Sequence, residues 1–414
     1  MKRVVVTGVG AVTPLGIGVE AFWAGMTAGR SGVSRITRFD TANLSVRIAG
    51  EIASFDPKQF MDAKATRRMD RFAQFAVAAS REALADAGLA ITDANRDRVG
   101  IVMNTGGGGI ETIETNVVTM ERHGPGRVSP FLIPMFAPNM ASSQVSITFG
   151  IKGPTLTMLA ACAAGVQAFV EGVHLIERGD VDVVVAGGTE AGITPVAIAG
   201  LANMGALSKR NDDPERASRP FDTGRDGFVY SEGAAVLILE SEEHAVRRGA
   251  TAICRCGGGA YTSDAFHITA PDPSGSGAAT AMRRSLARAG VAPGDIQFVA
   301  AHATSTPLGD IAETQAIKLA FGDHAKRLAV SANKSMLGHL LGGAGAVSAL
   351  GCVLAIRDGV VPPTINLENP DPECDLDYVP NVARRLEVKA ALANGMSIPG
   401  CSSSWGPTAA RTGA

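Results

Sequence analysis

The sequence predicts an α/β protein built from two similar halves, and two internal echoes are the main evidence. Residues 84–88 match residues 286–290, and each segment is followed by an apolar run typical of a buried strand. A second echo, in the same order along the chain, pairs residues 164–179 with residues 344–359. Repeats in one order indicate a duplicated unit, in which each half contributes a mostly buried sheet with helices on its faces.

The elements of the first half follow from its polarity pattern. An uninterrupted valine run at residues 4–6 predicts a buried strand. After Asp70, apolar residues recur at helical spacing until Gly88, which stands where a helix would end. Residues 98–103 then predict the next strand. We place the boundary between the halves near residue 250, which gives units of residues 1–250 and 251–414.

Composition excludes several classes of function. The 414 residues include 38 basic and 40 acidic ones, so a net charge of -2 provides no global field for nucleic acid or an anionic membrane. The six cysteines show no paired framework, and we expect a reducing cytoplasm. Two stretches without formal charge, residues 153–170 and 335–356, predict helices buried in the core rather than membrane spans.

Three reactive side chains stand in short distinctive motifs. Cys162 lies in Leu-Ala-Ala-Cys-Ala-Ala-Gly at the expected start of a helix, where backbone N–H groups and the helix dipole favour a thiolate. His302 precedes a run of hydroxyl residues, and His339 ends Asn-Lys-Ser-Met-Leu-Gly-His. The second echo places Cys162 and His339 just before equivalent helices, so we expect the three side chains to converge. A thiol and imidazoles together indicate a carbon–carbon bond-forming acyltransferase.

Further residues surround these motifs. The hydroxyls of Thr304 and Thr306 could bind the amide-rich arm of a carrier. Lys334 enters an apolar segment and therefore needs a counter-charge. No metal-binding spacing is present, because Cys254 and Cys256 fit the alternation of a strand better than a zinc site.

Beyond these motifs, the chain resembles the β-ketoacyl-[acyl carrier protein] synthases of the condensing-enzyme, thiolase-fold family. The likeness is closest to the elongating type II enzymes and to aromatic polyketide ketosynthases. It covers residues 1 to about 393 and includes specific stretches at residues 210–222, 225–229 and 361–367. The resemblance implies a duplicated thiolase-like fold with five layers in the order α-β-α-β-α.

The resemblance also implies a reaction and its residues. Cys162 would carry the acyl group as a thioester, and His302 and His339 would stabilise the enolate formed when a malonyl thioester loses carbon dioxide. Lys334 would be held by Glu313, and the implied site also includes, in a supporting role, Asp310. The reaction is a decarboxylative Claisen condensation that extends an acyl chain to a 3-oxoacyl-[acyl carrier protein] in fatty-acid biosynthesis. No bound cofactor is expected, since phosphopantetheine arrives on the carrier.

Substrate and partner contacts are implied in the same way. Thr304 and Thr306 would contact phosphopantetheine, and Leu201 would contact substrate. Gly107 stands where the family often has isoleucine at the floor of the acyl pocket, which predicts a deeper pocket. The implied partner is an acidic acyl carrier protein, the assembly a homodimer, and the basic carrier-docking patch consists of Lys64, Arg67 and Arg68.

Besides Gly107, the chain departs from the family pattern at two further places. Ala303 replaces the glycine that usually follows the first histidine, which predicts a tighter loop. In the atypical tail, residues 396–414, Ile398 replaces a gating phenylalanine whose N–H completes an oxyanion hole with that of Cys162. Pro399 has no N–H, and the segment from Cys401 lacks strand alternation. This pattern indicates a change of reading frame near residue 396. If the tail instead belongs to the protein, we expect reduced or lost activity.

Three alternatives stay open from the sequence. The first is a ketosynthase of a polyketide or specialised lipid pathway. A degradative thiolase is the second, although it would normally use a second cysteine as base and would not explain Lys334 with His339. The third is a non-catalytic ketosynthase-like partner. Such partners usually lack the nucleophile, and Cys162 is present, but the altered tail agrees with this alternative.

Overall fold

The computed structural model describes residues 2–397 and 400–410. The first half begins with a long buried strand, as its valine run predicts. Its strands are β1 (Val4–Thr13), β2 (Gly16–Ile17), β3 (Ser34–Arg35), β4 (Ile48–Ala49), β5 (Val99–Asn104), β6 (Thr155–Leu156), β7 (Val183–Glu190) and β8 (Gly233–Ser241). Its helices are α1 (Val19–Thr27), α2 (Ala63–Thr66), α3 (Arg71–Asp86), α4 (Ile110–His123), α5 (Leu132–Phe136), α6 (Met140–Phe149), α7 (Ala164–Glu177), α8 (Pro195–Asn203) and α9 (Glu242–Arg247).

The second half begins at a strand that follows the proposed boundary near residue 250. Its strands are β9 (Cys254–Ser263), β10 (Phe298–Ala300), β11 (Ala329–Ser331), β12 (Val360–Val361), β13 (Arg384–Arg385), β14 (Ala391–Ser397) and β15 (Cys401–Ala409). Its helices are α10 (Ser276–Ala289), α11 (Pro307–Phe321), α12 (Lys334–Leu337) and α13 (Ala344–Asp358). The boundary falls between α9 and β9, and the division into separate domains there stays a prediction.

The strand order shows the duplication directly. The five main strands of the first half are ordered β6-β5-β7-β8-β1, and those of the second half are ordered β11-β10-β14-β15-β9. The pairing directions also repeat: β5 is parallel to β6 and β7, as β10 is parallel to β11 and β14. The halves join where β1 and β9 pair, with Val6 opposite Cys254. The two similar halves predicted from the echoes are therefore confirmed.

Two equivalent helices form the middle layer between the two parts of the sheet. α7 and α13 contact each other and strands of both halves. Glycine permits this approach, because a Cβ on Gly165 would lie 2.5 Å from the Ala346 nitrogen and one on Gly345 would lie 2.6 Å from the Val166 nitrogen. α3 packs on β1 and β8 from outside, and α10 packs on β9 and β15. These contacts give the predicted α-β-α-β-α order.

The uncharged stretch around α13 belongs to the core. Residues Leu341–Asp358 form a window long and apolar enough to cross a membrane, but 78% of this window is buried inside the fold. Small residues dominate α13 because β strands and α7 surround it. The expectation of a core helix is confirmed.

The tail forms a strand although its sequence lacks strand alternation. Residues Cys401–Ala409 form β15, which lies between β14 and β9. The change of reading frame near residue 396 stays a prediction. β15 is covered on both faces, and alternation of polar and apolar residues is not needed in such a strand. Trp405 is fully buried against Phe169 of α7, and Pro407 lies at a register shift, where its missing N–H is tolerated.

Candidate active site

Cys162 lies in a tight turn immediately before α7. A short 3-10 turn spans Ala161–Ala163, and Ala161 has a φ of 44°, a left-handed conformation that is unusual for alanine. The Asn104 side chain donates to the carbonyl oxygen of Ala164 at 2.8 Å and ties β5 to the first turn of α7. Cys162 is 8% exposed and lines a cavity. The predicted placement at a helix start is confirmed.

The two histidines approach from the second half. His302 follows β10, and its backbone N–H donates to Glu313 at 2.8 Å. His339 follows α12, and its backbone N–H donates to the Val229 carbonyl oxygen at 2.7 Å. Both imidazoles are buried, and their ring centroids lie 5.3 Å apart in an edge-to-face arrangement.

The three side chains converge in one cavity, as the sequence predicts. The Cys162 sulfur and a ring nitrogen of each histidine lie within 4.8 Å of one another. The cavity has a volume of about 730 Å³. The predicted substrate contacts Thr304, Thr306 and Leu201 also line it. This geometry lets one bound carbonyl meet the thiol and both imidazoles.

Burial determines the charge state of the imidazoles. Burial lowers the pKa of His302 and of His339 well below the usual range, and the positive charge of Lys334 lowers both further. Both rings are therefore neutral near pH 7. A neutral imidazole offers one N–H donor, which can stabilise an oxyanion without first giving up a proton.

The structure places Glu313 differently from the expectation. Its carboxylate accepts the backbone N–H groups of His302 and Ala303 at 2.8 and 2.7 Å, and the Asn394 amide at 3.2 Å. Among the described residues, the Lys334 ammonium has no hydrogen-bond partner, so the expected direct pairing with Glu313 is not formed. Backbone donors occupy that carboxylate instead. Glu313 still acts through space, while burial lowers the pKa of Lys334 to about 8.

Asp310 holds the hydroxyl loop at the cavity. It accepts the backbone N–H groups of Phe221 at 2.9 Å and Ser305 at 3.2 Å, and burial raises its pKa to about 7. The Thr304 and Thr306 hydroxyl oxygens lie 3.0 Å apart on this loop. Ala303 has a φ of 33°, a left-handed conformation in which glycine is less strained. Glu313 and Asp310 together thus anchor the loop from His302 to Ser305.

Comparison with known proteins decides the family. Residues 1–245 match "Beta-ketoacyl synthase, N-terminal domain", and residues 253–368 match "Beta-ketoacyl synthase, C-terminal domain". The protein belongs to the beta-ketoacyl synthase family. The chain is 50% identical over 399 residues, or 96% of each chain, to a 3-oxoacyl-[acyl-carrier-protein] synthase 2 of Synechocystis.

Solved structures of beta-ketoacyl synthases share the complete fold. A beta-ketoacyl synthase from Burkholderia phymatum superimposes with a TM-score of 0.93 at 36% identity, covering 99% of this chain and 100% of the other. A type II PKS ketosynthase, solved in complex with its acyl-carrier protein and bound to the hexaketide, gives a TM-score of 0.91 at 31% identity, with 99% and 100% covered.

Gly107 and the docking residues of this beta-ketoacyl synthase lie outside the described cavity lining. Gly107 lies beside Ile110, whose Cδ1 would be 2.7 Å from a Cβ placed on that glycine. Ile398 lies outside the described residues. The docking residues are all exposed on or beside α2, on a different surface element from the cavity lining: Lys64, Arg67 and Arg68.

The sequence interpretation missed other residues at the site. Phe228 packs its ring edge-to-face against His339 at 5.2 Å and lines the cavity. Leu341 and Met396 also line the cavity. Glu190 ends β7 as a fully buried carboxylate. The sequence did contain a sign of Glu190, because a charged residue at the end of an apolar strand indicates a buried group with a specific role.

The same three side chains have the composition of a metal site. Cys162, His302 and His339 could hold an ion in the geometry described above. The sequence expectation that the protein uses no metal stays a prediction. The neighbouring cation of Lys334 opposes binding of a second cation.

Proposed function

We propose that the protein catalyses decarboxylative Claisen condensation of an acyl thioester on Cys162 with malonyl-[acyl carrier protein], yielding a 3-oxoacyl-[acyl carrier protein] in fatty-acid biosynthesis. The observation on which this depends is the convergence of Cys162, His302 and His339 within 4.8 Å in one cavity. Fatty-acid elongation is favoured over polyketide synthesis because the relatives at 47–50% identity are 3-oxoacyl synthases, whereas the ketosynthase solved with a hexaketide is 31% identical.

Acyl loading is the first stage. The Cys162 thiolate attacks the thioester carbonyl of an acyl carrier, the phosphopantetheine thiol leaves, and the acyl group remains on sulfur. The turn before α7 presents the sulfur to the cavity, and the helix start favours the thiolate. Thr304 and Thr306 offer hydroxyls to the amides of the phosphopantetheine arm.

Decarboxylation and condensation form the second stage. The bond between the malonyl carboxylate and its neighbouring carbon breaks, carbon dioxide leaves, and the electron pair forms an enolate on the thioester. His302 and His339 donate to that enolate oxygen as neutral imidazoles. The enolate carbon then attacks the Cys162 thioester, the Cys162 thiolate leaves, and the extended chain departs on the carrier.

A basic patch suits the carrier. Lys64, Arg67 and Arg68 are exposed together around α2, and the Arg68 guanidinium lies 4.8 Å above the ring of Phe131. Charge complementarity with an acidic protein raises the association rate more than the affinity. Replacing the three basic residues with Glu should raise KM for the acyl carrier without changing acylation by a small thioester.

A homodimer in the cytoplasm is part of this proposal. The short edge strand β6 is unpaired on its outer side in the described chain. Large apolar side chains are exposed on α4, α5, α6 and the segment after β6: Ile113, Val117, Met120, Ile133, Ile147 and Leu159. A second copy would cover this surface. Light scattering tests this, and a monomer at micromolar concentration would contradict it.

The decisive experiment uses labelled acyl-[acyl carrier protein] and the full chain. Intact-protein and peptide mass spectrometry should find the acyl group on Cys162, and addition of malonyl carrier should convert it to a 3-oxoacyl carrier with release of carbon dioxide. Acylation without condensation would indicate an impaired second stage. Absence of any thioester on Cys162 would instead support the non-catalytic alternative.

A further inference from the structure

Glu190 is a buried acid that the proposed mechanism does not use. It ends β7 and is fully buried. Burial of an uncompensated carboxylate is costly, so such a group needs a structural or functional reason to be in the core. The contacts of this carboxylate supply that reason.

The Glu190 carboxylate joins two backbone segments that are distant in sequence. One oxygen accepts the Gly106 N–H at 2.8 Å and the Gly342 N–H at 2.9 Å, and the other accepts the Gly107 N–H at 3.2 Å. The hydroxyl of Thr105 also hydrogen-bonds to it. Glu190 therefore fastens the loop after β5 to the turn before α13.

The two fastened segments are in close contact. A Cβ on Gly342 would lie 2.1 Å from the Gly106 nitrogen, and a Cβ on Gly106 would lie 3.4 Å from the Leu341 Cβ. Leu341 lines the catalytic cavity, and its φ of 41° is strained. Any loosening of the carboxylate's bonds would thus be transmitted to a cavity wall.

The three backbone N–H groups that contact Glu190 are best accepted by an ionised carboxylate, which carries no proton. A carboxylate has acceptor sites for all of them, whereas glutamine would turn an NH₂ group toward at least one N–H. Burial raises the pKa of Glu190 to about 7, and the backbone donors oppose that shift. The negative charge of Glu190 adds to the effect of burial in raising the pKa of Tyr230.

We propose that Glu190 is a positioning residue that sets the shape of the acyl cavity, and hence acyl-chain selectivity, by holding the Gly106–Gly107 loop against Leu341 and Gly342. This inference rests on the acyl-transfer function proposed above. Leu341 forms part of the cavity wall, and a longer acyl chain contacts more of that wall, so long chains should depend on Glu190 more than short chains do. The residue does not touch the reacting atoms.

The test compares Glu190→Gln with the natural chain, using purified acyl carriers loaded with saturated chains from six to eighteen carbons. Acylation of Cys162 is followed by mass spectrometry as kcat/KM for each length, and malonyl decarboxylation is measured separately. We expect about a tenfold larger loss for the longest chains than for the shortest, as expected when a hydrogen bond to a charged group is lost. Decarboxylation should change much less.

Two further variants keep the result interpretable. Glu82→Gln is the matched control, because the Glu82 carboxylate also accepts two backbone N–H groups, those of Ala11 and Val19, but away from the cavity. It should leave the chain-length profile unchanged. If Glu190→Gln does not fold, Thr105→Val removes one donor to Glu190 and should shift the profile in the same direction.

Each outcome decides between the proposals. If the dependence of kcat/KM on chain length is the same in folded Glu190→Gln, or in Thr105→Val, as in the natural chain, the positioning role is overturned. This includes an equal loss of kcat/KM at every chain length, which is the result of a general structural defect. If the natural chain accepts no acyl group at all, the proposed function fails instead, and the two failures are distinguishable.

Discussion

The starts of α7 and α13 are equivalent in backbone and different in chemistry. A 3-10 turn precedes each helix, Ala161–Ala163 in the first half and Leu341–Gly343 in the second. The first residue of each turn is left-handed, with φ values of 44° and 41°. The second residue is a cysteine in one turn and a glycine in the other, so the duplicated backbone holds a nucleophile on only one side.

The difference shows how one turn can serve two purposes. In the first half, the strained turn presents Cys162 to the cavity. In the second half, Gly342 has no side chain, and its N–H is bound by Glu190 while Gly106 packs against it. His339, three residues before Gly342, is one of the two histidines that the second half contributes to the site. Catalysis therefore needs the two halves to differ at equivalent positions.

Cys162→Ala should have the largest effect on activity. Removing the sulfur abolishes the thioester, so condensation should fall by at least about 1000-fold. The unfolding temperature should change little, because alanine keeps the Cβ of cysteine and only the sulfur is lost. Assay of 3-oxoacyl product together with thermal unfolding checks both. Retention of more than a few per cent of activity would contradict the assigned nucleophile.

Gly342→Ala should instead damage the fold. The new Cβ would lie 2.1 Å from the Gly106 nitrogen, and we expect the free energy of unfolding to fall by roughly 1–3 kcal/mol, the usual cost of overpacking. Gly351→Ala, in the helix α13 that follows this turn, is the control, because its Cβ meets nothing within 4 Å. Denaturant unfolding measures both. If the two variants had equal free energies of unfolding, close packing would not be the reason for a glycine at position 342.

Lys334, in the second half, should make the rate of malonyl decarboxylation depend on pH. Its pKa of about 8 means that the ammonium, which favours the enolate, is lost as pH rises above about 8. Malonyl decarboxylation should therefore fall about tenfold above this pH in the natural chain, with no such step in Lys334→Met. Rate profiles from pH 6 to 10 test this. An identical high-pH limb in both proteins would show that another group is responsible.

The same pKa shift has a consequence for stability. The folded pKa of Lys334 is about 8 against an ordinary value of 10.5, so the unfolded chain binds more protons between those values. Stability from this group therefore rises with pH across that window and is lowest below it. Unfolding of Lys334→Met should lack the rise.

Gly107→Ile is the mildest of these changes. A Cβ at this position would lie 2.7 Å from the end of the Ile110 side chain, which can move. Gly107 does not line the cavity itself, but a larger side chain there should displace the Glu190-bound loop toward the Leu341 wall. We therefore expect products to become shorter, with about a tenfold fall in kcat/KM for the longest acyl chains. Gly126→Ile, in open space, is the control. An unchanged product profile would contradict any influence of Gly107 on the acyl pocket.

Much of the fold could be predicted from the chain itself. The echoes identified two halves because α3 and α10 end in similar Gly-capped segments, and α7 and α13 share the small residues needed for close packing. β15 was missed because its serines are buried on both faces, and such a strand has no period-2 pattern. Glu313 was assigned to Lys334, whereas backbone N–H groups of His302 and Ala303 occupy it.

The sequence by itself determined the type of fold, the duplication and the identities of the reacting side chains, because repeats and reactive residues are local properties of a chain. Only the tertiary structure decided that Cys162, His302 and His339 meet in one cavity, and that Glu190 joins Gly106 to Gly342. Both results depend on contacts between residues far apart in the chain. Distances and desolvation of that kind arise only when the two halves pack together.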